Sequence, residues 1–261
     1  MPTPLILIPG LMCDATVWEP LLPALQPHAD CRVADHGDAD SITGMARQLL
    51  DGAPAQFALA GHSMGGRVAM EVLRLAPGRV THLALLDTGY QARAAGAAGE
   101  EEARKRQKLL DIACNQGVRA MATQWVQGML DPPRLADIAL VETIVSMFAR
   151  KSADTFARQI RALLARPDAT PVLAAVHIPT LVLCGRADSW SPLAQHEDIA
   201  ALLPAHPAVR VVDQAGHMST MEQPQAVSAA LLEWLHPQLT GVASGGRAVL
   251  TPGAGTSTAR G

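Results

Sequence analysis

The chain has 261 residues, 49% hydrophobic and 17% charged, which suits one domain of ordinary α/β size or one carrying a sizeable insertion. Its 21 basic and 24 acidic residues, net −3, are spread along the sequence and aromatics reach only 3%, so no nucleic-acid or membrane interface is indicated and a small molecule is the expected partner. Cys13, Cys31, Cys114 and Cys184 stand far apart without a C-x-x-C pair, which excludes zinc-site and dithiol spacing, so they read as reduced thiols.

The N-terminal stretch MPTPLILIPG has no positively charged start and only a short apolar run, so neither a secretory signal nor a membrane span is expected, and the location expected is cytoplasmic. From there, β-type runs appear at PLILIPG (4–10), CRVADHG (31–37), FALAGHS (57–63), VTHLALLDT (80–88), TLVLCGRAD (180–188) and VRVVDQAGH (209–217). Helix-spaced segments lie between or after them: VWEPLLPAL, SITGMARQLL, GGRVAMEVLRLA, PLAQHEDIAALL and PQAVSAALLEWL. Ser41 and Ser191 are placed as N-caps, and Pro192 falls in a first helical turn. Such alternation predicts an α/β fold, a three-layer doubly wound parallel sheet of about six strands.

From 90 to 170 the strand pattern stops and helical periodicity takes over, as in EEARKRQKLLDIAC, MATQWVQGML and ALVETIVSMFAR. The expected organisation is therefore a core of 1–89 and 171–236, a helical lid over 90–170, and a flexible C-terminal tail over 237–261, which is Gly, Ala, Ser and Thr without periodicity. The pairs Glu101 with Lys105 and Glu102 with Arg106 sit four residues apart and read as a solvated helix face. DHGDAD (35–40) lacks calcium-loop spacing and reads as a polar loop.

The segment GHSMGG matches G-x-S-x-G through Gly61, Ser63 and Gly65, at a junction where a strand ends and a helix begins. Glycines two residues either side let strand and helix nearly touch, leaving the hydroxyl of Ser63 exposed on a strained turn. A serine there also serves as an ordinary helix cap. The nucleophile reading needs a base to remove the proton and a carboxylate to orient that base. Asp188, ending TLVLCGRAD, and His217, ending VRVVDQAGH, supply both after the serine and at strand ends, with Asp87 as a rival for the acid. His62 is expected to point off the elbow, His28 and His36 to lie in loops, and His82, His177, His196, His206 and His236 at surface or strand-edge positions. An oxyanion needs two aimed donors. Expected are the backbone N–H of Met64 at the helix N-terminus and that of Leu11 in the loop IPGLMCDATVW, with Met12 next.

These residues together resemble the α/β-hydrolase superfamily, over about 1–90 and 170–236, in its lidded, cofactor-free, esterase-like members. GHSMGG, IPGLMCDATVW, CGRADSWSP and AGHMSTMEQP stand in the family's order. Two departures are visible: Pro9-Gly10 replaces the usual His-Gly, and the chain opens at what would be the family's third strand, without the leading hairpin. The resemblance implies strands in the spatial order second, first, third, fourth, fifth, sixth. It also implies hydrolysis of a small-molecule carboxylic ester through an acyl-enzyme, with no metal or organic cofactor. The same frame leaves open carbon–carbon, thioester, lactone or prolyl-peptide hydrolysis, or a ligand receptor without turnover. Trp125, Met129, Met147 and Phe148 in the lid are expected to line the substrate pocket. The sequence sets no oligomeric state.

Overall fold

Runs of Leu, Ile, Val and Ala, cut by glycine and proline, give one parallel sheet in the computed structural model, which describes residues 2–237. Its strands are β1 (Thr3–Ile8), β2 (Ala29–Val33), β3 (Phe57–His62), β4 (Val80–Leu86), β5 (Thr180–Gly185) and β6 (Arg210–Val212), in the order β2-β1-β3-β4-β5-β6 and parallel throughout. That is the order the family resemblance implied. The tail expected over 237–261 lies, from 238 on, outside the described residues.

Helices α1 (Leu22–Leu25), α2 (Ile42–Gly52) and α3 (Met64–Leu75) precede β4. Between β4 and β5 come α4 (Ala97–Gln116), α5 (Val118–Trp125), α6 (Ile138–Ala149), α7 (Ala153–Leu164) and α8 (Thr170–Leu173). After β5 come α9 (Leu193–Leu202), then α10 (Ser219–Glu222) and α11 (Pro224–Leu235) beyond β6. Parallel connections are right-handed, so the step from β1 leftward to β2 and the steps rightward from β3 to β6 lay their helices on opposite faces. Accordingly α3 packs with α2 and α8, while α11 packs with α1. The direction reverses between β1 and β3, which opens a crevice at their carboxyl ends. Among the described residues no helix is long and apolar enough to cross a membrane.

Local chemistry explains where elements depart from expectation. VWEPLLPAL is not one helix: Pro20 and Pro23 divide it into two 3₁₀ turns and the short α1. Ser41 caps α2, its hydroxyl accepting the Gly44 N–H at 3.1 Å. Ser191 does not cap α9; Pro192 holds the N-cap position, because the Ser191 N–H is turned back to the Asp188 carboxylate at 3.0 Å. The strand expected over 209–217 shortens to three residues, since the chain turns at once toward His217. The helical segment leaves and rejoins the sheet at one place, where the Ala169 N–H donates to the Tyr90 carbonyl at 3.0 Å.

The β3–α3 junction is the tightest approach. A methyl group on Gly61 would lie 2.4 Å from the Gly65 carbonyl oxygen, and one on Gly65 would lie 2.2 Å from the Ile8 carbonyl oxygen. Backbone surrounds both positions, so no side chain is free to yield. Gly65→Ala is therefore expected to lower stability by about 2–4 kcal/mol, measured as the shift in urea unfolding followed by circular dichroism. A shift below the error of the measurement would contradict this packing.

Candidate active site

At that junction Ser63 is held at φ 55°, a left-handed conformation rare for a residue with a side chain. Neighbours over-determine it. Its N–H donates to the Leu86 carbonyl at 2.9 Å, and its own carbonyl accepts from the Thr88 hydroxyl at 2.6 Å and the Gly66 N–H at 2.9 Å. Thr88 is fixed in turn by His196 of α9, whose Nε2 accepts the Thr88 N–H at 3.0 Å. His196 was expected at the surface; it is fully buried, because this support demands it.

The structure brings Ser63, His217 and Asp188 into one row. Asp188 Oδ2 lies 2.8 Å from His217 Nδ1, and His217 Nε2 lies 2.8 Å from the Ser63 hydroxyl. A carboxylate only accepts, so Nδ1 carries the proton and Nε2 is left to accept from Ser63. Burial works against ionising Asp188, yet the His217 partner and the N–H groups of Ser191 and Trp190 hold its carboxyl below the usual range. Burial likewise disfavours charge on His217, but the Asp188 carboxylate outweighs it and leaves the imidazole above its ordinary value.

His217 sits on a braced loop. Glu222 accepts from the N–H groups on either side of it, Gly216 at 2.9 Å and Met218 at 3.2 Å. The His217 N–H donates to the Met129 carbonyl, and its carbonyl accepts from His62 Nε2 at 2.8 Å. His62 thus points off the elbow and supports the backbone of His217. Burial drives the His62 imidazole down to about 4, so it stays neutral in that role.

Asp87, the rival acid, does not touch His217. It receives the Gly185 N–H at 2.9 Å and the Ser219 hydroxyl, and lies 3.7 Å from His62 Nε2. Burial, then the Asp188 charge, pushes its carboxyl up to about 8.

A cavity of about 600 Å³ opens over Ser63, His217, Leu11 and Met64. The loop carrying Leu11 is pressed against the serine: the position a Gly10 methyl would take is 3.1 Å from Ser63 Cβ. Met12, at φ 62°, turns away and donates its N–H to Gln159 Oε1 of α7 at 2.8 Å, while His36 Nε2 donates to the Pro9 carbonyl at 2.9 Å. Trp125, Met129 and Phe148 line the cavity. Met147 does not: it is wholly buried on the other side of α6, one helical step of about 100° from Phe148. Trp190, missed in the sequence, stacks on Trp125 at 5.3 Å and lies 4.9 Å from the His217 ring. Its signal was the DSWSP turn immediately after the acid.

Three kinds of comparison bear on this geometry. A model of the alpha/beta hydrolase family matches residues 5–230. The chain is 31% identical over 251 residues to the dihydrolipoyllysine-residue acetyltransferase component of the acetoin cleaving system of Pseudomonas putida, covering 89% of this chain but only 63% of that protein. It is 29% identical to the pimeloyl-[acyl-carrier protein] methyl ester esterase of Photobacterium profundum, covering 88% of this chain and 94% of the esterase. Among solved structures, a thermophilic esterase from Thermogutta terrifontis superposes with a TM-score of 0.79 at 26% identity, covering 90% of each chain.

The buried Asp87 carboxyl makes stability depend on pH. The unfolded chain ionises it near 3.8, whereas the folded chain keeps its proton to about 8. Between those values only the folded state holds the proton, so stability declines as pH rises. Asp87→Asn removes this proton uptake, and is expected to lose less stability than the parent between about pH 5 and about pH 8 in urea titrations. Parallel losses in both proteins would refute it.

Proposed function

Because the chain belongs to the α/β-hydrolase family, an enzyme family with esterase relatives, we propose that it cleaves a small carboxylic ester through an acyl-enzyme on Ser63. The observation that carries this reading is the row from Asp188 through His217 to Ser63, both links 2.8 Å. Ser63 Oγ attacks the ester carbonyl as His217 Nε2 takes its proton. The tetrahedral oxyanion is received by the backbone N–H groups of Met64, at the start of α3, and Leu11. Collapse breaks the bond to the alcohol, which leaves with the proton from His217. Water then attacks the acyl-enzyme by the same path, releasing the acid and restoring Ser63. Asp188 holds the imidazole in the required tautomer and balances its charge during both halves.

In this reading the segment from α4 to α7 acts as a lid, and Trp125, Met129, Phe148 and Trp190 give the cavity its apolar wall. A small ester, handled in the cytoplasm without metal or organic cofactor, is the substrate class.

A fluorophosphonate should label the parent protein at Ser63, and Ser63→Ala should lose about a thousandfold or more in p-nitrophenyl butyrate hydrolysis. Full activity in that variant, or binding without burst or turnover in the parent, would overturn the reading; the second outcome would favour a receptor. The base must be neutral to act, and Asp188 raises it. The acidic limb of kcat/KM is therefore expected above the ordinary histidine value of 6.5, and Asp188→Asn should move that limb to lower pH while lowering the rate.

A further inference from the structure

One end of the cavity is not apolar. Arg67 lies in the first turn of α3, three residues after Met64 and so about 4.5 Å further along the axis from the helix start beside Ser63. It lines the cavity with Arg106 and Arg166. The latter two are partly neutralised, since both hold Glu102: Arg166 Nη1 and Nη2 at 2.7 and 2.9 Å, and Arg106 Nη2 at 2.9 Å. Arg67 has no such partner. Its one hydrogen bond among the described residues runs from Nη1 to the Gln91 carbonyl at 2.8 Å, and no carboxylate among them forms an ion pair with it. Burial, then the charges of Arg166 and Arg106, pulls the Arg67 guanidinium down to about 9, against the smaller opposing effect of the Glu102 and Asp168 carboxylates.

The unused edge of Arg67, Nε with Nη2, is the planar pair of donors that suits a carboxylate. Gln195 of α9 adds an amide beside it: the point where a Gly89 methyl would sit is 2.6 Å from Arg67 Nη2 and 2.9 Å from Gln195 Nε2. Other charged groups on this wall are Lys105 and Glu101, and Glu101 is held by Arg104 at 2.7 Å. The balance remains positive.

The two ends of the cavity have different tasks under the proposed hydrolysis, on which this inference rests. The departing alcohol must lie beside His217 to receive its proton, and Trp190 and Trp125 flank that side. The acyl group is left the direction along α3. We propose that Arg67, assisted by Gln195, is a carboxylate subsite, and that the substrate is a half-ester of a short dicarboxylic acid, bound by its free carboxylate and cleaved at Ser63.

The test compares mono-p-nitrophenyl glutarate with p-nitrophenyl butyrate on the full chain. The parent should favour the anionic ester in kcat/KM by about tenfold or more, and added NaCl should erode the preference. In Arg67→Gln the ratio of anionic to neutral kcat/KM should fall by about tenfold, whereas Arg67→Lys should retain part of it. Parent turnover of the neutral ester with no anionic preference would overturn the subsite and leave the esterase reading intact. If neither ester turns over, calorimetric titration of monomethyl glutarate into Ser63→Ala, with and without Arg67→Gln, decides the subsite independently. Binding lost with Arg67 supports it; equal binding, or none, overturns it.

Discussion

The molecule depends on one contact that leaves no room for a methyl group: strand β3 meeting helix α3 across Gly61 and Gly65, with β1 pressed against the latter. That closeness forces Ser63 into a left-handed conformation and turns its hydroxyl off the sheet. Strain at a single residue persists only where surroundings over-determine it. Here Leu86, Thr88, Gly66 and, one step out, His196 do so. The rest of the site is built to match that fixed oxygen, with Asp188 and His217 each delivered by a turn after its own strand.

Much of this was legible because it is local. Alternating apolar runs and helical periodicity predicted the strands in sequence, and G-x-S-x-G with a later aspartate and histidine predicted the row of side chains that the fold brings together. What the sequence did not disclose depends on contacts between distant segments. His196 and His62 look like ordinary polar residues until the fold buries them beneath Thr88 and His217. Asp87 and Asp188 both end strands, and only the geometry separates them: one meets the imidazole, the other a serine and a backbone N–H. Met147 and Phe148 share one apolar pattern, yet helix rotation sends only the second to the cavity.

Net charge was the least informative of the global quantities. A total of −3 suggests no preference for anions, since it averages over the surface. The cavity sets Arg67, Arg106, Arg166 and Lys105 against Glu101 and Glu102, so its local sign is opposite to that of the chain. Glu102 with Arg106, a surface pair by spacing alone, is in fact part of this wall and also ties α4 to Arg166 beyond α7.

The hydrogen bond from Met12 to Gln159 joins two parts of the molecule 147 residues apart in sequence. Gln159 belongs to α7, in the segment between β4 and β5, and Met12 to the loop that faces the serine across the crevice. One rim of the cavity is thereby anchored by a residue that the sheet itself does not supply. The helices inserted after β4 do more than wall the pocket: through a single amide they share in setting the loop that borders the nucleophile elbow.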